Sequence, residues 1–571
     1  MDQRDRLKGL SNKKWLDLIA AILISGIALL IYWPSFKVPF HFDDLEAIVN
    51  NHYVRITNLS PHSLISAAFQ DFKHNRPLTN LSLALNFYFN QLNPFGYHLI
   101  NFLFFLSTAF GIWLLLRKLF IHLGYEDSRS NLAGFFIALV WLAHPLNIQA
   151  VTYIVQRHSS MAGAFSIWSL YFLHMGLERK KYQRWFFLAC GLLTFLALLS
   201  KETSLTLPIL LLAYKIYFFD HLKPGFLKSN WKWLLLLFIF YLLTAGIMLR
   251  PKMFQALELD FSKRLFSPSQ RFFTEPKILV WYVLLTLFPF PQWLSLEHQF
   301  QIYNSLLEPP SAVFYFLLNT GIILLALVRA RKWRAFSFAV LWYFGQLLIE
   351  ALPLPIDLAN EHRVYLASLS IIAPALAWPL LRSKKIGLRQ AQPSRLAIAW
   401  ILIITAFFAW FTWQRNLVWQ NRIVLWKDAV KKAPRLVRPW GNYCYALALA
   451  EKCNQAIRVC QFTIQLDPSS ALAHNNLGIC LFRTDQIELA EKQFLRAAEL
   501  APEQSLAYFN LGYLHSLKKD DQTALKWYLL AIDRDPFDPQ PHFNLAITYQ
   551  RLNQQEDYLR ELTEAIKLRP E

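Results

Sequence analysis

Five cysteines in 571 residues, with no CxxC pair and no other metal-ligand spacing, argue against a zinc or dithiol site. Four of them crowd between Cys444 and Cys480, where they are expected to be small packing residues. Also lacking is a small-residue cleavage site after the first apolar run. The leader "MDQRDRLKGLSNKKW" is long and polar, so the stretch from about Trp15 to Trp33 is expected to be a retained anchor, not a cleaved signal. Eighteen steps of 1.5 Å give about 27 Å, close to the hydrocarbon thickness of a bilayer, with a tryptophan near each interface. Basic charge is plentiful, at a net +20, but much of it sits in short loops between apolar runs, where membrane topology accounts for it without a nucleic-acid partner.

A content of 55% hydrophobic and 16% aromatic residues, with positive mean hydropathy, defines a polytopic membrane protein with a soluble part at its end. Besides the first run, candidate spans lie at about 97–119, 131–144, 161–177, 184–200, 204–219, 232–249, 311–328, 335–351, 367–382 and 396–413, about eleven in all. The stretch "KILVWYVLLTLFPFPQW" (277–293) is apolar but ends in Pro-Phe-Pro, which disrupts a helix. Lys and Arg arbitrate the topology. "LERKKYQRW" and "RARKWRA" carry four each and the segment from Arg382 to Arg395 carries five, whereas "HPLNIQAVTYIVQRHSS", "SKETS" and "LPLPIDLANEHRVY" carry one each. This alternation holds with the N-terminus inside if 277–293 is re-entrant or interfacial, which puts the "FHFDD" loop and the C-terminal part on the same, exported side.

Beyond about Trp413 the long apolar runs vanish. We read 1–413 as the membrane domain, 414–433 as a linker or amphipathic helix, and 434–571 as a repeat domain. Pro434, Pro468, Pro502, Pro536 and Pro570 recur every 34 residues, the tetratricopeptide period. Asn442, Asn476, Asn510 and Asn544 keep one register; Ala456, Ala490 and Ala524 mark close helix packing, and Tyr558 breaks that rule in the last copy. Four helix pairs stacked as a solenoid follow, with a concave groove suited to a peptide, a protein segment or a structural partner. The fold class is therefore all-α: a polytopic helical membrane domain and a C-terminal tetratricopeptide (TPR) solenoid.

Polar residues that topology does not require collect on the exported side. Asp43 and Asp44 form an adjacent acid pair, able to serve as a general base, to ligate a divalent cation, or merely to cap a helix. His144 and Arg157 lie in the second loop. Lys201 and Glu202 stand between two apolar runs, where a charge must be paired or used; one reading is that they satisfy each other. Asp357, Glu361, His362, Arg363 and Tyr365 precede a late span, and arginine's planar fork suits phosphate. Acids from one loop and cations from several others on one face suit a lipid-phosphate donor. A transporter would place its charges mid-membrane, between broken helices.

The "FDD" loop, "HP…QAV…IVQR", "SKE", "EHRVYLASL" and then tetratricopeptide repeats, in this order, resemble the bacterial relatives of the transmembrane and tetratricopeptide-repeat O-mannosyltransferases of the GT-C glycosyltransferase superfamily, over nearly the whole chain. The sequence departs from that pattern at Ala367, where the family often has proline, and at "QRHSS", where eukaryotic members tend to carry Gly-Arg-Ala-Asp. The resemblance implies transfer of mannose or a similar hexose from a polyprenyl- or dolichyl-phosphate carrier to a protein Ser/Thr hydroxyl on the exported side. Asp43 and Asp44 are then the catalytic acids, Arg157, Lys201 and Arg363 the donor-phosphate partners, and His144, Glu202, Glu361, His362 and Tyr365 supporting residues. The lipid phosphate is already a good leaving group, so cations and one base suffice; a divalent metal is left open. The expected partners are the membrane lipid carrier and an acceptor protein held in the TPR groove. With only four repeats, the expected location is a bacterial inner membrane with a periplasmic solenoid, or the endoplasmic reticulum with lumenal repeats if the source is eukaryotic. Other readings are an oligosaccharide or polymer ligase using a diphosphate carrier, a non-catalytic scaffold, and a transporter.

Overall fold

The computed structural model describes residues 3–70, 76–223, 225–248, 259–262, 264–381 and 395–568. Every regular element among them is helical, and they divide into two compact units, Met1–Gln420 and Asn421–Glu571.

In the first unit each of the eleven apolar stretches falls on a helix. Among the described residues, five helices are long and apolar enough to cross a membrane by themselves: Lys14–Lys37, Pro94–His122, Lys180–Ser200, Ser311–Val328 and Arg395–Trp419. Asp127–Ala143 and Pro145–Thr152 are bent by 58° at the break between them and would count as a sixth only if the pair were one span. The expectation of about eleven crossings therefore exceeds what helix length and composition support alone. Leu207–Phe218 has 12 residues, Leu369–Leu381 has 13 and Arg334–Leu347 has 14, less than the roughly 20 residues that a hydrocarbon core requires.

The ambiguous 277–293 stretch belongs to a longer helix, Pro268–Leu287, which a Ser267–Gln270 capping box starts. After Leu287 the chain turns back along this helix. Tyr303 N–H donates to Thr274 Oγ1 and Gln270 Nε2 to Asn304 Oδ1, both at 2.9 Å. The excursion from 268 to 304 thus starts and ends at the same place.

Helix Arg395–Trp419 continues six residues past the boundary read at 413, and Arg422–Lys432, within the stretch read as a linker or amphipathic helix, is a helix of the second unit. Four helix pairs follow: Val437–Leu449 with Cys453–Leu466, Ala471–Arg483 with Ile487–Leu500, Ser505–Leu517 with Asp521–Arg534, and Pro539–Arg551 with Gln555–Leu568. Gly478 lies against Phe494 and Gly512 against Tyr528, where a Cβ would come within 2.6 Å of each ring. This is why the first helix of those repeats carries glycine. Within each pair the turn places a non-glycine residue in the left-handed region: Glu451, Asp485, Lys519 and Asn553. The following amide reaches back to close the helix end, as in Lys452 N–H to Leu447 O and Gln486 N–H to Leu481 O. Tyr558 joins a cluster with Tyr528, Leu545 and Tyr549 that no further repeat covers among the described residues.

The cysteine expectation needs correction. Cys444 and Cys460, 16 residues apart, are joined by a disulfide between the two helices of the first pair. Cys190, Cys453 and Cys480 are free and buried, as packing residues are. The two half-cystines come together only once antiparallel helices face each other, which linear spacing does not reveal.

Candidate active site

The acid pair splits into two environments. Phe42 takes a left-handed φ of 45°, and the turn that results buries Asp44 while leaving Asp43 exposed. Asp44 Oδ2 accepts the His41 amide at 2.9 Å and Oδ1 the Val155 amide at 2.7 Å. The carboxylate thereby stitches the loop that carries the acid pair to the 144–158 loop. The Asp43 amide donates to Tyr153 Oη at 2.9 Å. Burial, and then the charges of Asp43 and Asp44, hold that phenol well above its ordinary value, so it remains a proton donor.

The cations gather on the other side of the 144–158 loop. Lys201 Nζ meets Glu350 Oε1 at 2.8 Å, and Arg363 Nε lies 4.0 Å from Glu350 Oε2. Glu202 instead receives a bidentate grip from Arg76, at 2.9 and 2.6 Å. Lys201 and Glu202 therefore do not satisfy each other; each has a partner more than a hundred residues away. Burial would raise the Glu202 carboxyl, but the Arg76 guanidinium overrides it and holds the group well below the usual carboxylate range. Arg76 also reaches the His158 ring at 3.0 Å.

Lys201, Glu350, His362 and Arg363 line one small polar cavity with Ser159, Ser166, Gln346 and Tyr365. His362 is fixed by Gln149, whose Oε1 lies 3.2 Å from Nδ1. Burial and the neighbouring charges of Lys201, Arg363 and Arg76 push its pKa well below the ordinary histidine value, so it stays neutral. Two cations and one carboxylate leave the lining with a single net positive charge.

Six of the ten sequence-derived residues lie outside this lining: Asp43, Asp44 and Glu202, described above, and Arg157, His144 and Glu361. Arg157 is fully buried, and its guanidinium is taken up by Asn101 Oδ1 at 2.7 Å and the carbonyls of Ser82 and Tyr97 at 3.0 Å. His144 is held between the Thr286 carbonyl and the Leu146 amide. Glu361 accepts the Ser295 amide at 2.6 Å beside His298. Tyr365 closes the floor, packed on Trp141 and Gly163. Sequence pattern alone does not give Glu350 or Arg76 a role: Glu350 ends an apolar run and looks like an ordinary boundary residue, and Arg76, in the polar "HNRPL" run, has its partner Glu202 126 residues away. Among the described residues, no three His, Cys, Asp or Glu side chains converge as a metal site.

A second pocket, which shares no lining residue with the first, is almost wholly apolar; Ile167, Trp342 and Leu369 are among the residues that line it.

A many-helix apolar unit with a cationic chamber, followed by a repeat solenoid, defines the class: an all-α integral-membrane protein with TPRs. The tetratricopeptide repeat family model matches residues 446–505 and 483–539. The human protein O-mannosyl-transferase TMTC3 is 24% identical over 532 residues, 84% of this chain and 54% of that protein. The Drosophila melanogaster Tmtc3 is 27% identical over 252 residues, 39% of this chain and 26% of its own length. The Xenopus laevis tmtc2 is 29% identical over 221 residues, 36% and 25% respectively. The chain is a relative of these transmembrane and tetratricopeptide-repeat proteins, and spans about half the length of the human one. Among solved structures, the crystal structure of MamA is similar to 26% of this chain, over 85% of its own, at 21% identity and a TM-score of 0.23, too low to carry an argument.

Proposed function

We propose that this protein is an integral-membrane glycosyltransferase that moves mannose or a similar hexose from a polyprenyl- or dolichyl-phosphate carrier to a protein Ser/Thr hydroxyl on the exported side. The observation that carries the reading is the polar chamber, in which Lys201 and Arg363 face the single carboxylate of Glu350 and leave one net positive charge to meet a phosphodiester. A separate apolar pocket of the same unit has the character that an isoprenoid tail needs.

Lys201 and Arg363 take the donor phosphate and neutralise the charge that grows on it as the glycosidic bond breaks. Asp43, exposed and beside Tyr153, is the general base for the acceptor hydroxyl. Asp44 positions it through the His41 and Val155 amides. Arg157 works from behind, holding the loop that carries His158 and Val155. The solenoid groove holds the acceptor or a partner protein. The disulfide of the first repeat supports a solenoid in an oxidising compartment, the periplasm of a bacterial inner-membrane protein or the lumen for a eukaryotic source.

The test is sugar transfer by the purified chain from a polyprenyl-monophosphate donor to a peptide and to a small soluble acceptor. Transfer that requires a diphosphate donor and divalent metal would replace this reading with a polymer ligase; no transfer from either donor would leave a scaffold. Removing residues 421–571 is expected to impair transfer to peptide far more than transfer to the small acceptor.

A further inference from the structure

The excursion from 268 to 304 carries Arg271, a residue outside every motif considered so far. Its side chain is wholly buried, and all three of its nitrogens donate to backbone carbonyls of one short segment. Nε reaches Leu352 O at 3.0 Å, Nη2 reaches Glu350 O at 2.8 Å, and Nη1 reaches Ile356 O at 2.6 Å and Asp357 O at 3.0 Å. From the opposite side Arg363 donates to Asp357 O at 2.8 Å and Leu358 O at 3.0 Å. One segment, 350–358, is therefore gripped by two guanidinium forks, and the carbonyl of Asp357 receives both.

A carbonyl-rich turn buried among charges is costly unless its acceptors are met. Lysine could serve one or two of these carbonyls; only a planar fork serves four that diverge in this way. The residue whose backbone Nη2 holds is Glu350, and its carboxylate in turn fixes Lys201 at 2.8 Å and faces Arg363. Further along, Tyr282 meets both the amide and the carbonyl of Asn360 at 3.0 Å, and Ser295 meets Glu361. The excursion thus braces the strip of chain on which the chamber is built.

We infer that Arg271 is a positioning residue, which sets Glu350 and through it the place and reactivity of Lys201. The inference rests on the donor-phosphate reading for its consequence but not for its geometry, and the experiment separates the two. In the full-length chain in detergent, acylation of Lys201 by an amine-reactive ester is followed by peptide mass spectrometry, normalised to the exposed Lys519. Binding of a polyprenyl monophosphate is measured in parallel. Arg271→Met is expected to raise the Lys201 rate about tenfold, the scale of one lost charge-assisted hydrogen bond. Glu350→Gln is expected to do the same, with no further rise in the double variant. Arg271→Lys, which keeps the charge and carries the test if the Met variant fails to fold, falls between. An unchanged Lys201 rate in the Arg271 variants, or fully additive effects of Arg271→Met and Glu350→Gln, overturns the inference. If the rate rises while the wild-type chain binds no polyprenyl monophosphate, the donor reading falls and the positioning role stands.

Discussion

Lys201 and Glu350 meet at 2.8 Å, Nζ to Oε1, across 149 positions of sequence, with both side chains nearly sealed from solvent. Two buried charges held this closely are tolerated when they satisfy each other. Here the carboxylate is shared with Arg363, so two cations stand on one anion, and a second negative charge has a place to bind.

Lys201→Met strands Glu350 and is expected to cost about 3–5 kcal/mol of stability together with donor binding. Adding Glu350→Met removes the stranded charge and is expected to restore most of the stability while leaving binding lost. Denaturation midpoints of single and double variants, set beside donor affinity, check this.

The two acids are expected to fail differently. Asp43→Asn should abolish transfer with an unchanged melting temperature, because its side chain is exposed. Asp44→Asn turns an NH₂ toward a backbone N–H and should lose about 1.5–3 kcal/mol of stability, visible as a lowered melting temperature before any assay of activity. Full activity in both would remove the pair from the mechanism.

His362 sets a pH dependence of known sign. Its folded pKa lies well below its unfolded value of about 6.5. Below that pH the unfolded chain takes up a proton that the folded chain refuses, so stability is complete above about pH 6.5 and declines on acidification. His362→Gln should remove up to about 1.4 kcal/mol per pH unit from the acid slope. Chemical denaturation of both proteins from neutral to acid pH reads the difference.

Loop charge predicts the orientation. A cysteine at Lys181 should be shielded from an impermeant thiol reagent in intact cells, and one at Asp520 should label. The background must replace the free Cys190, Cys453 and Cys480 yet keep the Cys444–Cys460 link. The opposite labelling pattern inverts the topology.

Replacing Cys444 with serine opens a loop of 16 residues and should cost the solenoid about 3 kcal/mol. Reductant should then have little further effect on that variant. Mass spectrometry of the wild-type chain with and without reduction checks that the link forms.

The repeats were legible because Pro434, Pro468, Pro502 and Pro536 punctuate the sequence at a fixed period, and the folded helix pairs keep that period. Lys201 and Arg363 stood out because a charge at the end of an apolar run is expensive. Their partners did not: Glu350 and Arg76 are recognisable only when remote helices bring them in. Nor could the sequence separate Asp43 from Asp44, since which of two adjacent acids turns inward depends on the positive φ at Phe42. Arg157 looked like a phosphate ligand for the same reason that Arg271 went unremarked: a buried guanidinium serving carbonyls has no signature in residue type.

His41 Nε2 lies 2.7 Å from the carbonyl of Trp419, and Gln420 Nε2 donates to the carbonyl of Pro34 at 2.8 Å. Trp419 and Gln420 are the residues through which the chain leaves the first unit for the repeats. The covalent anchorage of the solenoid is thus pinned to the loop that carries Asp43. Tension along the chain at residue 421 bears first on the turn at Phe42, which sets where Asp43 and Asp44 face.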